Sequence, residues 1–122
     1  MLAYELDLPL YLHLKPEPID LYNDNIYIPS HMTKVTVKLK ARVLRNRTPN
    51  AENYNLGDSV AVLTLCVGDA KDETTILETH GHFIKTIEID DVSPGEIQNI
   101  SFNIQGDKNY LFEISDLEVR VI

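Results

Sequence analysis

Apolar and polar side chains alternate with a period of two residues along much of this chain. Residues 34–42 (Lys-Val-Thr-Val-Lys-Leu-Lys-Ala-Arg) show the alternation without interruption, and residues 97–105 repeat it with Ile100, Phe102 and Ile104 on one side. A two-residue period places successive side chains on opposite faces of an extended strand. No window has the roughly 3.6-residue spacing typical of an amphipathic helix. The pattern therefore predicts an all-β protein.

The N-terminal segment, residues 1–18, carries apolar side chains at every even position from Leu2 to Leu14. Pro9 lies within this run, and proline cannot donate a hydrogen bond to a strand ladder. The segment is therefore predicted to be an edge strand, continuous or broken at Pro9, or an N-terminal arm exchanged with a neighbouring copy.

Four other segments give local predictions. Residues 59–67 are nearly all apolar, which predicts a central strand buried on both faces. Residues 23–25 and 106–109 are rich in turn-forming side chains, so we expect a turn at the first and a hairpin turn at the second. In the last predicted strand the apolar positions change parity near residues 115–116, which indicates a β-bulge or a crossing between sheets.

The spacing of these segments predicts roughly seven to nine strands in one antiparallel β-sandwich. We expect residues 1–122 to form a single domain, because the length is near that of a typical domain. Residues 97–105 and 110–122 resemble the closing strands of jelly-roll modules, which include carbohydrate-binding modules and viral capsid and tail proteins. This resemblance implies a jelly-roll-like sandwich.

The charge balance restricts the class of partner. The chain has 19 acidic and 11 basic residues, and the net charge of −8 argues against nucleic-acid binding, where a basic excess supplies most of the affinity. The single cysteine, Cys66, excludes an intrachain disulfide. The N-terminus lacks the basic start and continuous apolar stretch of a secretion signal, and no run is long enough for a transmembrane helix. We therefore expect a cytoplasmic or virion protein without membrane association.

Residues 34–47 hold six of the eleven basic side chains. Four of them are predicted to form a basic ridge that binds a partner: Lys34, Lys38, Lys40 and Arg42. One interpretation is an anionic partner (nucleic acid, a polyanionic sugar or an acidic protein), and a second is the acidic surface of another copy. A third is that the lysines protect a sheet edge against aggregation. The net negative charge favours the last two.

Glu78, His80 and His82 are candidate metal ligands. On a continuous strand they would point to one face, and two imidazoles with a carboxylate suit a non-haem iron site. The stretch resembles part of the first cupin motif, since Glu88 and Gly95 follow it. The gap from His82 to Glu88 is too long for that motif, however, and no later histidine supplies a second one. We therefore predict no metal and no other cofactor.

The sequence holds no complete set of catalytic residues. Cys66 lies in an apolar run, where a thiol packs as a small hydrophobic side chain instead of reacting. There is no Gly-x-Ser-x-Gly motif, and the five glycines do not cluster into a phosphate-binding loop. The prediction is that the protein is not an enzyme.

These observations favour assembly over catalysis. The main hypothesis is a non-enzymatic structural subunit of a homo-oligomer or multi-protein complex, such as a capsid auxiliary, connector or tail component of a phage or viral virion. The alternative is a jelly-roll module that binds a carbohydrate or another ligand, with tyrosines in place of the absent tryptophan. A cupin-type metal-binding protein is the third hypothesis.

Overall fold

A computed structural model describes residues 1–6, 9–45 and 59–122. These residues form nine β-strands and one short 3₁₀ helix, so the all-β prediction is confirmed. The strands are β1 (Leu2–Glu5), β2 (Leu10–His13), β3 (Ile19–Tyr27), β4 (Val35–Arg45), β5 (Ser59–Val67), β6 (Ala70–Leu77), β7 (His82–Ile89), β8 (Ile97–Gly106) and β9 (Tyr110–Val121). The 3₁₀ helix, Glu78–His80, lies between β6 and β7.

The strands form two antiparallel sheets that pack face to face. Sheet A has the order β1-β9-β4-β7, with β2 also paired to β9, and sheet B has the order β3-β8-β5-β6. The pairs β1/β2 with β9, β3 with β8, β4 with β7 and β5 with β6 are nested, as in one long hairpin folded back on itself. Pairing of β4 with β9 and of β5 with β8 rolls this hairpin into a sandwich. This is the jelly-roll arrangement that the sequence predicted.

The core lies between the two sheets and is filled by alternate side chains of the strands. Phe102 of β8 and Phe112 of β9 are fully buried, as are Ile100 and Ile104. Phe83 of β7 packs edge to face on Phe112, with the ring centroids 5.5 Å apart. Burial of one such side chain stabilises the fold by about 1.5–3 kcal/mol. The alternation predicted for residues 97–105 is therefore confirmed.

The predicted change of parity in the last strand is a β-bulge in β9. Lys40 of β4 pairs with Asp116, while its neighbour Ala41 pairs with Ile114, so Ser115 is the extra residue. Because the bulge absorbs one residue, Ile114 before it and the leucine at position 117 after it both point into the core.

The N-terminal segment lies at the edge of sheet A. Its two short strands, β1 and β2, both pair with β9 of the same chain. Pro9 lies between them, where its missing N–H removes no ladder hydrogen bond.

Three local predictions are wrong. Residues 23–25 continue β3 instead of turning, because the Asn99 side-chain amide on β8 donates hydrogen bonds to Asn23 Oδ1 and Asn25 Oδ1, each 3.0 Å long. Residues 106–109 connect sheet B to sheet A instead of closing a hairpin, since turn-forming residues do not specify which strand comes next to which. The strand β5 is central, but its outward side chains are only half-buried.

Candidate functional site

The basic strand β4 is an inner strand of sheet A, with β7 on one side and β9 on the other. Lys38, Lys40 and Arg42 lie on its outward face, while Lys34 precedes the strand and forms ion pairs at its end with Glu88 (3.5 Å) and Asp90 (3.4 Å). The interpretation that these lysines protect a sheet edge is therefore wrong, because β4 has no free edge. The alternation alone could not distinguish an inner strand with a solvated face from an edge strand.

The edge strands carry their own protection against strand addition. On β3, β6 and β7, one charged side chain lies directly opposite a buried core residue: Asp24 opposite Ile100, Asp72 opposite Leu65, and Lys85 opposite Leu39. Directly opposed residues share a face of the sheet, so these charges are on the core-facing side. A charge in that position disfavours pairing with another strand. The remaining edge is interrupted at Pro9. Docking through a face of the sandwich is therefore favoured over docking through an edge.

One row of side chains crosses the outer face of sheet A on four strands. It runs His82 (β7), Arg42 (β4), Glu113 (β9) and Tyr11 (β2), as the strand registers show. Arg42 Nη2 and the Tyr11 hydroxyl both donate to Glu113 Oε2, at 2.8 and 2.9 Å. The Tyr11 hydrogen bond, followed by the Arg42 guanidinium, holds the pKa of Glu113 below its ordinary value. These contacts fix three of the four side chains in position. We call this set the cross-strand row.

A shallow depression of about 540 Å³ lies beside the cross-strand row. Its lining includes Lys40, Arg42, His82, Ile84 and Ser115. Ile84 is 59% exposed, although it is an aliphatic side chain. Tyr11 at the end of the row is 60% exposed. Exposed tyrosine, arginine and aliphatic side chains, surrounded by charged ones, are the composition typical of protein-binding hot spots.

Next to this depression, charges of opposite sign run in two parallel columns on adjacent strands. Lys38 and Lys40 of β4 lie opposite Glu118 and Asp116 of β9, respectively. Neither lysine forms an ion pair or a side-chain hydrogen bond within the described part of the chain. Glu5 of β1 extends the acidic column, and the carboxylate oxygens of Glu5, Asp116 and Glu118 lie within 4.8 Å of one another. Glu118 is paired with Arg120 at 3.2 Å, whereas Lys38, Lys40 and Asp116 form no ion pair among the described residues, so the face presents charges of both signs in register.

The candidate metal ligands do not share one face. Glu78 and His80 belong to the 3₁₀ helix, and His82 begins β7 after Gly81, the C-cap of that helix, whose φ is 55°. His80 Nδ1 accepts a hydrogen bond of 2.8 Å from the Leu77 backbone N–H. The metal hypothesis required a continuous strand, and the 3₁₀ helix and Gly81 interrupt it, since glycine readily adopts a positive φ.

Glu78 takes part in a structural network that the sequence did not indicate. The hydroxyl of buried Tyr110 donates a 2.6 Å hydrogen bond to Glu78 Oε2, and Arg45 forms an ion pair with the same carboxylate. The Tyr110 hydrogen bond and then Arg45 lower the pKa of Glu78. Burial and the hydrogen bond to this carboxylate raise the pKa of Tyr110. The three residues join β4, β9 and the 3₁₀ helix at one end of the sandwich.

Among residues 1–6, 9–45 and 59–122, the tyrosines do not form a shared platform for a sugar; Tyr54 lies outside this range. Tyr11 is exposed on sheet A and Tyr27 on sheet B, whereas Tyr22 is buried and packs against Tyr4 with ring centroids 5.2 Å apart. A sugar-binding face is expected to place several exposed aromatic rings on one sheet. This distribution does not favour the carbohydrate-binding alternative.

Comparison with known proteins yields no family: no family model matches the sequence, and no curated protein matches it either. A jelly roll by itself does not identify a function, because the architecture supports many unrelated ones. Within residues 1–6, 9–45 and 59–122, no helix has the length and apolar character needed to cross a membrane. The outer surface of sheet A is therefore the feature that bears on function.

Proposed function

We propose that this chain is a non-enzymatic structural subunit that assembles with protein partners through the outer face of sheet A. A phage or viral virion is the setting we propose for the assembly, because jelly rolls serve as capsid domains. The observation that carries the proposal is the depression beside the cross-strand row, where exposed Ile84 adjoins the fixed pair Arg42 and Glu113.

The arrangement of charge supports a protein partner over a polyanion. The cationic side chains Lys38, Lys40 and Arg42 lie beside Glu113, Asp116 and Glu118 on the next strand. A polyanion on this face would meet the acidic column as well as the basic one. The net charge of −8 would repel it further. A protein surface can present both signs, and complementary charges then fix the orientation of the partner.

The geometry of Arg42 and Glu113 supports a preformed binding surface. Both side chains are held by hydrogen bonds before any partner arrives, so little side-chain entropy is lost on binding. Ile84 and Tyr11 supply the exposed apolar area that gains most from removal from water. A central anchor of this kind, with charges around it, is how protein interfaces concentrate their binding energy.

Site-specific photo-cross-linking in the cell of origin tests this proposal. With benzoylphenylalanine in place of Ile84, we expect a discrete cross-linked protein band after irradiation, since the side chain lies inside the proposed interface. The matched control is the same replacement at Ile97, an isoleucine 71% exposed on sheet B. No band is expected from that position. The band from position 84 is also expected to disappear when Arg42→Glu is added.

The proposal fails if position 84 yields no cross-linked protein, or if positions 84 and 97 yield the same one. In the first case the face is solvated, and in the second the labelling is unspecific. The mass of the cross-linked species also identifies the kind of partner, because a doubled chain mass indicates a second copy and any other mass a different subunit.

A further inference from the structure

We infer that the outer face of sheet A binds a second copy of this chain across a two-fold axis that runs nearly parallel to the strands, between β4 and β9. The inference rests on the function proposed above and specifies its partner. It follows from the two charged columns, whose members are matched along the strands.

The strand register determines which side chains would meet. Because Lys38 is level with Glu118 and Lys40 with Asp116, a two-fold axis parallel to the strands exchanges the columns and keeps the levels. Lys38 of one copy then lies over Glu118 of the second copy, and Lys40 over Asp116 of the second copy. Each pair occurs twice, as in any isologous interface. Lys38, Lys40 and Asp116, which form no ion pair among the described residues, thereby gain one, and Glu118 gains a second cation beside Arg120.

The same axis makes the cross-strand row complementary to itself. Arg42 is level with Glu113, and His82 is level with Tyr11 at the two ends of the row. The exchange places Arg42 over Glu113 of the second copy and β7 over β1 and β2 of the second copy. Exposed Ile84 is the next outward-facing residue of β7 after His82, and it then lies beside the Tyr11 ring of the second copy. Apolar contacts therefore flank the ion pairs on both sides.

The other two-fold arrangement in the plane of this face is repulsive. An axis in the plane of the face but perpendicular to the strands places each column over the same column of the second copy. Lys38 and Lys40 then meet the lysines of the second copy, and the two acidic columns also meet each other. Like charges brought together at an interface disfavour association. The charge pattern therefore selects one orientation by attraction and excludes the other by repulsion.

The face is small for a protein interface. Four strand columns about 4.8 Å apart and about eight residues at roughly 3.3 Å rise give a footprint of roughly 500 Å² per copy. A standard stable interface buries about 800 Å² per partner. We therefore expect a weak dimer, with a dissociation constant in the micromolar range, that salt weakens because ion pairs orient it.

Two variants whose sheet A faces are oppositely charged test the inference by sedimentation velocity at low salt. The first carries Lys38→Glu with Lys40→Glu, which makes both columns acidic, and the second carries Asp116→Lys with Glu118→Lys, which makes both basic. Each variant alone is expected to lose roughly a hundredfold or more in self-association. An equimolar mixture is expected to form heterodimers, because each acidic face now meets a basic one. The matched control, Lys71→Glu on β6 of sheet B, is expected to dimerise like the wild type.

The mixture separates the interface from effects within one chain. Each variant still holds like charges on its own neighbouring strands after mixing, so recovery of the dimer can come only from contacts between chains. A wild-type chain that remains monomeric at the highest concentration overturns the inference, as does a mixture that stays monomeric while the wild type dimerises. In either case, a cross-link from position 84 to a different protein still supports the proposed function. If position 84 gives no cross-link at all, both the proposed function and the inferred dimer are contradicted.

Discussion

Replacing Gly106 with alanine is expected to destabilise the fold by about 3 kcal/mol, at the upper end of the cost of overpacking a core. A Cβ atom at this position would lie 3.0 Å from Ala61 Cα and 3.1 Å from Ala61 Cβ, and closer still to the Val60 carbonyl oxygen. These atoms belong to β5, an inner strand of sheet B that is paired on both sides, so its backbone has little freedom to move away. The backbone N–H of Gly106 also donates to the Lys15 carbonyl oxygen at 2.8 Å.

Denaturant unfolding of Gly106→Ala and Gly81→Ala measures this effect against a matched control. Gly81 has open space around the position of a Cβ atom, but its φ of 55° is unfavourable for alanine. That conformation costs about 1–2 kcal/mol, so the Gly81 variant is expected to lose less stability than the Gly106 variant. Equal losses, or a Gly106 variant as stable as the wild type, would show that β8 and β5 are not packed as closely as described.

The second large effect is expected from Tyr110→Phe, which should destabilise the protein by about 2 kcal/mol because it removes a hydrogen bond to a charged group. The lost bond is the 2.6 Å contact from the Tyr110 hydroxyl to Glu78 Oε2. Glu78 keeps its ion pair with Arg45, so the carboxylate is not left without a counter-charge. The change is measured by chemical denaturation at neutral pH, with Tyr27→Phe, an exposed tyrosine on sheet B, as a control expected to have little effect.

The same variant is expected to change the pH dependence of stability. The pKa of Glu78 is lowered in the folded state from its ordinary value of 4.5, first by the Tyr110 hydrogen bond and then by Arg45. A lowered folded-state pKa contributes stability that is present above pH 4.5 and is lost as the pH falls through the folded-state pKa. The wild type should therefore lose stability in this acidic window, and Tyr110→Phe should lose less of it. Parallel pH profiles of the two proteins would contradict this assignment.

Sequence patterns predicted correctly those features that are determined within a single strand. The bulge at Ser115 followed from a change of parity within β9, and the core positions of β8 followed from alternation. The neighbours of each strand could not be predicted in this way, because alternation records which face is buried and not which strand lies beside it. For the same reason the basic strand was compatible with an edge, although β4 is an inner strand.

Only part of the candidate site could be predicted from the sequence. Lys38, Lys40 and Arg42 were found because they lie close together in the chain, whereas Tyr11 and Glu113 come from distant strands that only the fold brings beside them. Ile84 did leave a signal: it shares the outward side of β7 with His82, Thr86 and Glu88, and an isoleucine among polar side chains marks exposed apolar area. His82, a candidate metal ligand in the sequence, lies in the cross-strand row.

The proposed contact between Lys38 of one copy and Glu118 of another is tested most directly by a carbodiimide cross-link between lysine and carboxylate. The two residues are also neighbours within one chain, so the experiment uses an equal mixture of unlabelled and ¹⁵N-labelled protein. After cross-linking and digestion, mass spectrometry separates linked peptides with one isotope composition from those with both. Only a contact between two chains can produce a mixed peptide.

We expect abundant mixed-isotope peptides joining Lys38 to Glu118 and Lys40 to Asp116 at low salt, and a decline in these peptides as salt is added. The result that would contradict this expectation is a set of linked peptides in which every pair carries a single isotope composition, since the two columns would then meet only within their own chain.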